Sequence, residues 1–292
     1  MRKNFFLSLL FLFLIIASPC HAQKIKVIAS ITPLADFVKQ VGGDKVVVKL
    51  LLPPGASPHI YEPTPKSVKD ISDAAIFVKI GAGLEFWAEK IVSSSGNRHL
   101  IIVDSSHGVP FIENHENHHD HGISDNDPHF WLDPVIAGSI VTKIEKALSA
   151  ADPKNASFFK KNAMLYREKL SGLDREIAGR VSAFKTREYV TFHPAWNYFS
   201  KRYGLKVAGV VEEFPGKEPG PRHLAGIIRE IKRLRSKVIF VEPQFNPKIA
   251  EVIAQEGNAK VLYLDPIGGQ KGRETYIDMM RYNISAMESV MK

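Results

Sequence analysis

The chain has 292 residues, 45% of them hydrophobic, with 39 Lys and Arg against 31 Asp and Glu for a formal net charge of +8. A chain of this length and apolar content can form two domain-sized cores, and it shows neither low-complexity sequence nor a repeat of solenoid length. Its basic residues are scattered and form no stripe, so we expect no nucleic-acid binding.

The first 22 residues have the pattern of an export signal. Arg2 and Lys3 form a positive start, residues 5–16 are almost entirely apolar, and the segment ending at Ala22 fits a small-residue cleavage site. We expect residues 1–22 to be a signal peptide that is cleaved after Ala22, which makes the protein an exported one. Lipid attachment at Cys20 is the alternative, although Pro19 fits a lipoprotein signal poorly.

Cys20 is the only cysteine, and it lies within this signal. A chain cut after Ala22 therefore has neither a thiol nor a disulfide, and any metal ligands must be His, Asp or Glu. Removal of Arg2 and Lys3 lowers the 39 Lys and Arg to 37, so the formal net charge falls to +6.

From residue 24 onward, strand-like and helix-like segments alternate. Thr64 and Pro65 form a typical helix start, with an N-cap residue followed by proline in the first helical position. Such alternation predicts parallel strands with helices on both faces of the sheet. We expect strands at 24–30, 45–52, 75–80 and 99–103, and helices at 34–41, 64–72 and 84–92.

The alternation stops at residues 105–127, which are polar and rich in His, Asp and Asn, and we expect a loop there. Pro134 begins a predicted helix to about residue 150. Pro153 begins another, which has no strong breaker before about residue 185. At about 1.5 Å per residue this second helix is nearly 50 Å long, enough to connect two domains.

The alternation then resumes to the end of the chain. We expect an α/β fold of two Rossmann-like lobes with parallel sheets, joined by a single long backbone helix, with a cleft between them. The predicted divisions are a first lobe at 23–150, a linking helix at 151–186 and a second lobe at 187–292. The second lobe has expected strands at 189–191, 206–211, 238–241 and 260–264, and expected helices at 195–203, 221–235, 247–255 and 274–291.

Four side chains at separate polar turns are candidate metal ligands: His59, His129, His193 and Asp265. His59, His193 and Asp265 each follow a predicted strand, and His129 precedes the connecting helices. Ligands of parallel sheets bind at the carboxyl ends of the strands, and imidazole nitrogen with carboxylate oxygen suits zinc. We therefore predict a metal site in the cleft, although any one of these histidines alone would more often be a hydrogen-bonded or capping residue.

Neighbouring residues can orient such ligands, because metal-bound imidazoles usually donate their second nitrogen proton to a carboxylate or carbonyl. Glu62 and Asp133 are the candidates for this role, although Asp133 before Pro134 fits a helix cap equally well. We expect Trp131 and Trp196 to pack in the cleft walls.

A histidine-rich segment at 113–121 indicates a different kind of site. Its imidazoles lie in a polar loop, so they predict weak and rapidly exchanging zinc binding that is accessory to the cleft; a tolerated polar insertion is the alternative. The histidines of this segment are His115, His118, His119 and His121.

The sequence contains no complete dinucleotide fingerprint, Walker loop, Gly-x-Ser-x-Gly elbow or paired helical histidines with an intervening Glu.

The chain resembles the metal-binding receptors of bacterial ABC importers for zinc and manganese, the cluster A-I group that includes the ZnuA and TroA-like proteins. The resemblance extends over the whole mature chain. Its most specific motif is Asp127-Pro128-His129-Phe130-Trp131-Leu132-Asp133-Pro134, and further matching segments lie at residues 28–34, 59–65, 192–199 and 263–266. It implies a periplasmic solute-binding protein with two α/β lobes, one long linking helix and metal held between the lobes.

The family's four ligand positions fall on His59, His129, His193 and Asp265. Manganese-type relatives commonly have Glu at the third position, whereas this chain has His193, and three imidazoles with one carboxylate favour Zn²⁺. Mn²⁺ remains the alternative, since some relatives with three His and one Asp carry it. The histidine-rich loop is also shorter than in many zinc receptors.

The resemblance therefore predicts high-affinity zinc uptake, with Zn²⁺ delivered to an ABC permease transmembrane subunit and its ATPase. We expect a monomer and no enzymatic activity, because four protein ligands leave no position for a reacting water. The other hypotheses are a zinc hydrolase, and a surface adhesin or metal buffer without a transporter.

Overall fold

The computed structural model describes residues 24–112, 126–213 and 216–292, and its first half has the alternation of strands and helices that the sequence predicts. Apolar runs form the strands, and prolines or capping residues begin several of the helices. The elements of this half are β1 (Ile25–Ala29), α1 (Thr32–Gly42), β2 (Val46–Leu50), α2 (Pro65–Ser72), β3 (Ile76–Lys79), α3 (Ala88–Ser95), β4 (Ile101–Asp104) and α4 (Pro134–Ala151).

The second half repeats this pattern after a long helix. Among the described residues, a four-residue strand of uniformly buried apolar side chains lies near its centre, as a strand covered on both faces requires. The elements are α5 (Ala156–Ser182), β5 (Glu188–Thr191), α6 (Asn197–Tyr203), β6 (Lys206–Val210), α7 (Pro221–Arg233), β7 (Val238–Val241), α8 (Lys248–Gly257), β8 (Lys260–Tyr263) and α9 (Tyr276–Met291).

Each lobe contains a four-stranded sheet, with the order β2-β1-β3-β4 in the first lobe and β6-β5-β7-β8 in the second. All pairings between these strands are parallel, from β1 with β2 to β7 with β8. The carboxyl ends of the four strands therefore lie along one edge of each sheet, where the loops that follow them can carry a binding site. This confirms the predicted α/β architecture of two lobes with parallel sheets.

The long helix α5 begins at Ala156, because a 3₁₀ turn over Pro153–Asn155 precedes it. Its 27 residues correspond to about 40 Å, somewhat shorter than the sequence predicts. Helix α3 also begins later than predicted. It begins at Ala88, four residues after the predicted start, and residues 82–87 before it form turns.

The largest hydrophobic core is continuous between the two lobes. It contains Phe37 of α1, Trp131, Tyr166 of α5, Phe240 of β7 and Ile284 of α9, all of them at most 3% exposed. Two smaller clusters cover the other faces of the sheets. Because α1, α4 and α9 all pack on α5, the lobes share a core that opposes wide hinge motion.

A buried carboxylate also joins the two halves of this core. Asp36 of α1 is 6% exposed; its Oδ2 accepts hydrogen bonds from the Tyr166 hydroxyl at 3.0 Å and from the backbone N–H of Tyr276 at 2.9 Å. These bonds connect α1 with α5 and with the start of α9. Within the described ranges, no helix is both long and apolar enough to cross a membrane.

Candidate metal centre

His59 lies in the loop that follows β2, at the carboxyl edge of the first sheet. Its backbone N–H donates to Ser57 Oγ at 3.3 Å. The Trp87 indole N–H donates to the carbonyl of Pro58 at 3.2 Å, which fixes this loop against the start of α3. The prolines of this loop also restrict its backbone, so the imidazole is presented from a stiff turn.

His129 lies immediately before a 3₁₀ turn that leads into α4, and it is 4% exposed. Asp127 holds it from two directions: Oδ1 accepts the His129 backbone N–H at 2.9 Å and lies 2.7 Å from the ring Nδ1. The other oxygen, Oδ2, accepts a hydrogen bond from Asn197 Nδ2 at 3.1 Å. In the tautomer that carries its proton on Nδ1, the ring N–H of His129 donates to Asp127. The lone pair of Nε2 is then free to bind a metal ion.

His193 follows β5 at the carboxyl edge of the second sheet and is 3% exposed. Its Nδ1 lies 3.4 Å from Oε1 of Glu242, which comes directly after β7 and is 1% exposed. The same carboxylate accepts a hydrogen bond from the Trp196 indole N–H at 3.2 Å. A buried carboxylate beside Nδ1 favours the imidazole tautomer with Nε2 free, the arrangement found at His129.

The three imidazoles converge on one point through their Nε2 atoms. His59 Nε2 lies 3.1 Å from His129 Nε2 and 3.2 Å from His193 Nε2. Bonds of 2.0–2.1 Å to a tetrahedral zinc ion place ligand nitrogens about 3.3 Å apart, so these separations suit one shared ion. Within the described ranges, these three residues form the group of potential ligands that a single metal ion can join.

A small cavity of about 10 Å³ borders the three histidines. A space of roughly this size holds one water molecule or one small ion. The volume of the cavity therefore matches that of a single metal ion. Its walls include Trp131, Gln244, Phe245, Pro266 and Ile267 in addition to the histidines.

Burial keeps two of these imidazoles neutral to a lower pH than usual. Loss of hydration lowers the pKa of His59 well below its usual value, and the nearby His193 and His129 lower it further. Burial also lowers the pKa of His129, although Asp127 partly opposes that shift. Because only a neutral imidazole binds metal, the low pKa values favour a binding-competent site.

These shifts predict that the protein stripped of metal loses stability in mild acid. Histidines of an unfolded chain titrate near ~6.5, so below that pH the unfolded state binds more protons than the folded state and is favoured. We expect a lower Tm at about pH 5 than at about pH 7.5. The variant His59→Gln removes one of the shifted groups and should reduce the difference; an unchanged difference would contradict this assignment.

Asp265, the fourth predicted ligand, is not part of this group, although Pro266 and Ile267, which follow it, line the cavity. It follows β8 as expected and is fully buried. Its Oδ1 accepts the backbone N–H groups of Ile267 and Gly268, while Oδ2 faces Arg273 Nη1 at 3.1 Å. The structure therefore brings together His59, His129 and His193, and it places the carboxylate of Asp265 against a guanidinium.

The two predicted orienting carboxylates have other surroundings. Asp133 Oδ1 accepts the backbone N–H groups of Val135 and Ile136, so Asp133 caps helix α4. Glu62 is exposed. Asp127 and Glu242 occupy the places beside the histidines that the sequence interpretation gave to Asp133 and Glu62.

Sequence signals for Asp127 and Glu242 were present. Asp127 is two residues from His129 within the same motif, and Glu242 follows a wholly apolar strand as His193 follows another strand.

Trp131 and Trp196 are fully buried beside the site, and Trp131 lines the cavity. The histidine-rich segment with His115, His118, His119 and His121 lies outside the described residues, as does the signal peptide with Cys20 and Ala22.

The contact between Asp127 and His129 predicts a specific loss of metal affinity in Asp127→Asn. An asparagine amide can donate to Nδ1 and so favour the tautomer that carries its proton on Nε2. Removal of a partner that orients a ligand typically costs about 10–100-fold in metal affinity. A zinc competition titration measures the loss. The matched control is Asp133→Asn, which retains a capping side chain and should leave zinc affinity unchanged.

Comparison with known proteins identifies relatives of this chain in zinc uptake. The family model described as zinc-uptake complex component A, periplasmic (ZnuA), matches residues 27–290. The high-affinity zinc uptake system protein ZnuA of Bacillus subtilis (strain 168) is 34% identical over 278 residues, covering 91% of this chain and 87% of the relative. The zinc-binding lipoprotein AdcA of Streptococcus pneumoniae is 33% identical over 91% of this chain, which spans 55% of the length of AdcA.

Solved structures give the same result. A crystal structure of ZnuA superposes with a TM-score of 0.82 at 30% identity, covering 92% of this chain and 99% of the other. The laminin-binding protein Lmb of Streptococcus agalactiae, described as a bifunctional protein with adhesin and metal transporting activity, has a TM-score of 0.81 at 31% identity. That match covers 92% of this chain and all of Lmb.

Proposed function

This chain belongs to the ZnuA family of periplasmic zinc-uptake components, and on that basis we propose that it captures Zn²⁺ between its lobes and delivers it to an ABC permease. The family consists of solute-binding proteins for zinc transport, which act with a permease and its ATPase. For this chain we propose the ligands His59, His129 and His193, with Asp265 as a fourth ligand when its side chain turns toward the metal.

The observation that carries this proposal is the convergence of three imidazoles, in which the Nε2 atoms of His129 and His193 lie 3.1 and 3.2 Å from His59 Nε2. Two of the imidazoles have a buried carboxylate beside Nδ1, Asp127 at His129 and Glu242 at His193. These two carboxylates can balance the charge of a divalent cation without binding it directly. A buried ion needs such compensation, because an uncompensated charge in a low-dielectric interior is costly.

Zinc is favoured over manganese by the chemistry of the donor atoms. Three imidazole nitrogens at tetrahedral separations suit Zn²⁺, whereas Mn²⁺ prefers oxygen-rich, octahedral sites. Mn²⁺ remains the alternative cargo, since a carboxylate lies next to the site.

A zinc hydrolase is the alternative that three imidazoles on their own would allow, because catalytic zinc also has three protein ligands and one open position. The cavity favours ion binding over hydrolysis, because the space beside the histidines, about 10 Å³, matches one ion or water molecule. An adhesin is the other alternative, supported by the likeness to Lmb, whose printed description combines adhesin and metal transporting activity.

We also propose the processing and organisation that the sequence predicts. Cleavage after Ala22 releases a monomeric periplasmic protein, with lipid attachment at Cys20 as the alternative. The divisions are a first lobe at 23–150, a linking segment at 151–186 and a second lobe at 187–292. His115, His118, His119 and His121 act as an accessory site that collects zinc weakly.

Growth under zinc limitation tests the proposed function. A strain that lacks this gene should grow poorly when a chelator restricts zinc, and a wild-type copy should restore growth. A copy with His193→Ala should be exported in equal amount and fail to restore it. Normal growth of the deletion strain, or rescue by His193→Ala, would contradict a role in zinc uptake through this site.

A further inference from the structure

The two carboxylate oxygens of Asp265 have different environments. Oδ1 accepts hydrogen bonds from the backbone N–H groups of Ile267 at 3.0 Å and Gly268 at 2.8 Å. Oδ2 is buried and makes no well-aligned hydrogen bond within the described ranges, although Arg273 Nη1 lies 3.1 Å away. One oxygen is therefore fixed by the backbone, while the other is held only by the charge of Arg273.

The backbone of Asp265 is fixed independently of its side chain. Its N–H donates to Asn283 Oδ1 at 2.7 Å, and its carbonyl accepts from Asn283 Nδ2 at 2.8 Å. Asn283 belongs to α9 and is fully buried. A change in what Oδ2 contacts therefore requires a rotation of the side chain, which also moves Oδ1 relative to the N–H groups of Ile267 and Gly268, and no movement of the strand end.

Arg273 is held in place by its own loop and by helix α9. Its guanidinium lies over the ring of Tyr282 at 4.5 Å, and its Nη2 donates to Gln270 Oε1 at 2.6 Å. Its carbonyl accepts the N–H of Gly269 at 2.8 Å. Gly268 has a φ of +70°, and a Cβ there would lie 2.8 Å from the Arg273 carbonyl oxygen, so this turn requires glycine.

The same loop forms part of the wall of the metal centre. Pro266 and Ile267 line the cavity beside the three histidines, and the Trp131 indole N–H donates to the Pro266 carbonyl at 2.7 Å. Asp265 thus directly precedes two residues that line the cavity, while its less restrained oxygen faces a cation that is part of the protein.

We propose that Arg273 and the metal ion compete for Oδ2 of Asp265, so that Arg273 is a positioning residue that speeds metal release. This inference rests on the proposed zinc-binding function. The two carboxylates of Asp127 and Glu242 balance the charge of Zn²⁺, and the guanidinium of Arg273 balances the charge of Asp265. When Asp265 turns to the metal, Arg273 loses its partner although its own side chain is only 14% exposed. That cost weakens the fourth bond to the metal.

The test is Arg273→Gln, which removes the competing charge and retains a side chain that can hydrogen-bond. We expect zinc to leave the variant about tenfold more slowly and the Kd for zinc to fall by about tenfold. The reason is that the Asp265 carboxylate no longer contacts Arg273 and can bind the metal without that competition. Stopped-flow mixing of the zinc-loaded protein with a chelator measures release. Arg273→Lys retains the charge and should release zinc nearly as fast as the wild type.

Two further variants separate this mechanism from a general effect of charge or of folding. In an Asp265→Asn background, Arg273→Gln should no longer change the release rate, since the contested oxygen is absent. Tyr282→Leu removes the ring beneath the guanidinium without contacting Asp265, and it should also slow release. This variant carries the test if Arg273→Gln does not fold.

Visible absorption of the Co²⁺-loaded protein gives a readout that stability alone does not change. Arg273→Gln should shift the Co²⁺ spectrum because an oxygen ligand is added, whereas Arg273→Gln in the Asp265→Asn background should not.

Unchanged or faster zinc release in Arg273→Gln would overturn the proposal, as would equal slowing in the Asp265→Asn background. If the wild type bound zinc tightly, either result would leave the proposed function intact. A wild type without a tight zinc site would overturn both.

Discussion

His129→Ala is expected to weaken zinc binding by about 1,000-fold or more, because a metal-binding nitrogen is lost and the site retains two imidazoles. The variant also leaves the carboxylate of Asp127 buried without the ring that it contacts at 2.7 Å. A competition titration against a chelator of known affinity measures the change.

The control for this variant is His99→Ala, since His99 is exposed and distant in sequence from every proposed ligand. Its zinc affinity should equal that of the wild type. Circular dichroism and thermal unfolding of both variants exclude loss of the fold as the cause. A His129→Ala protein that still binds zinc as tightly as the wild type would contradict the assignment of the site.

Asp36→Ala is expected to lower the free energy of unfolding by about 2–4 kcal/mol, the largest loss of stability that we anticipate from a side chain outside the metal centre. The substitution leaves the Tyr166 hydroxyl and the Tyr276 backbone N–H without their buried acceptor. Both groups lie where α1 meets α5 and α9, so the loss weakens the core that the two lobes share.

Urea unfolding of the protein stripped of metal measures this effect. The matched control is Asp44→Ala, since the Asp44 side chain is 70% exposed and pairs only with Lys45 among the described residues. A surface change of this kind typically alters stability by less than about 0.5 kcal/mol. Equal midpoints for the two variants would show that Asp36 does not connect the helices as described.

The overall architecture could be predicted from the sequence because it depends on local patterns. Buried parallel strands are short apolar runs, and the helices between them begin at recognisable pairs such as Thr64 and Pro65. The helix boundaries that differ do so for tertiary or conformational reasons. The Glu85 side chain accepts the backbone N–H groups of Ile80 and Gly81, residues 82–87 form turns, and α3 begins only at Ala88.

The grouping of the three histidines was also predictable, because each follows a strand or precedes a helix, in a turn with nearby prolines. Their orienting partners were not, since a partner is set by which turns meet in space. Asp133 and Asp127 flank the same short motif, and only the fold shows that the first caps α4 while the second contacts His129.

The environment of Asp265 depends on contacts that sequence spacing does not reveal. Arg273 is eight residues away, and the intervening loop turns back through glycines so that the two charges meet at 3.1 Å. From the sequence, Asp265 is a fourth ligand like the others. In the structure it is the one candidate of the four that is paired with a cation of the same loop, and this pairing is the basis for the proposed role of Arg273 in metal release.

The most direct test of the account is a metal competition titration on the chain from Gln23 onward, stripped of metal, with Zn²⁺ against Mn²⁺. We predict one tight site that Zn²⁺ occupies even when Mn²⁺ is present in large excess. His129→Ala should lose this site. Effective competition by Mn²⁺ would contradict zinc as the cargo, and the lack of any tight site would contradict metal capture by the three histidines.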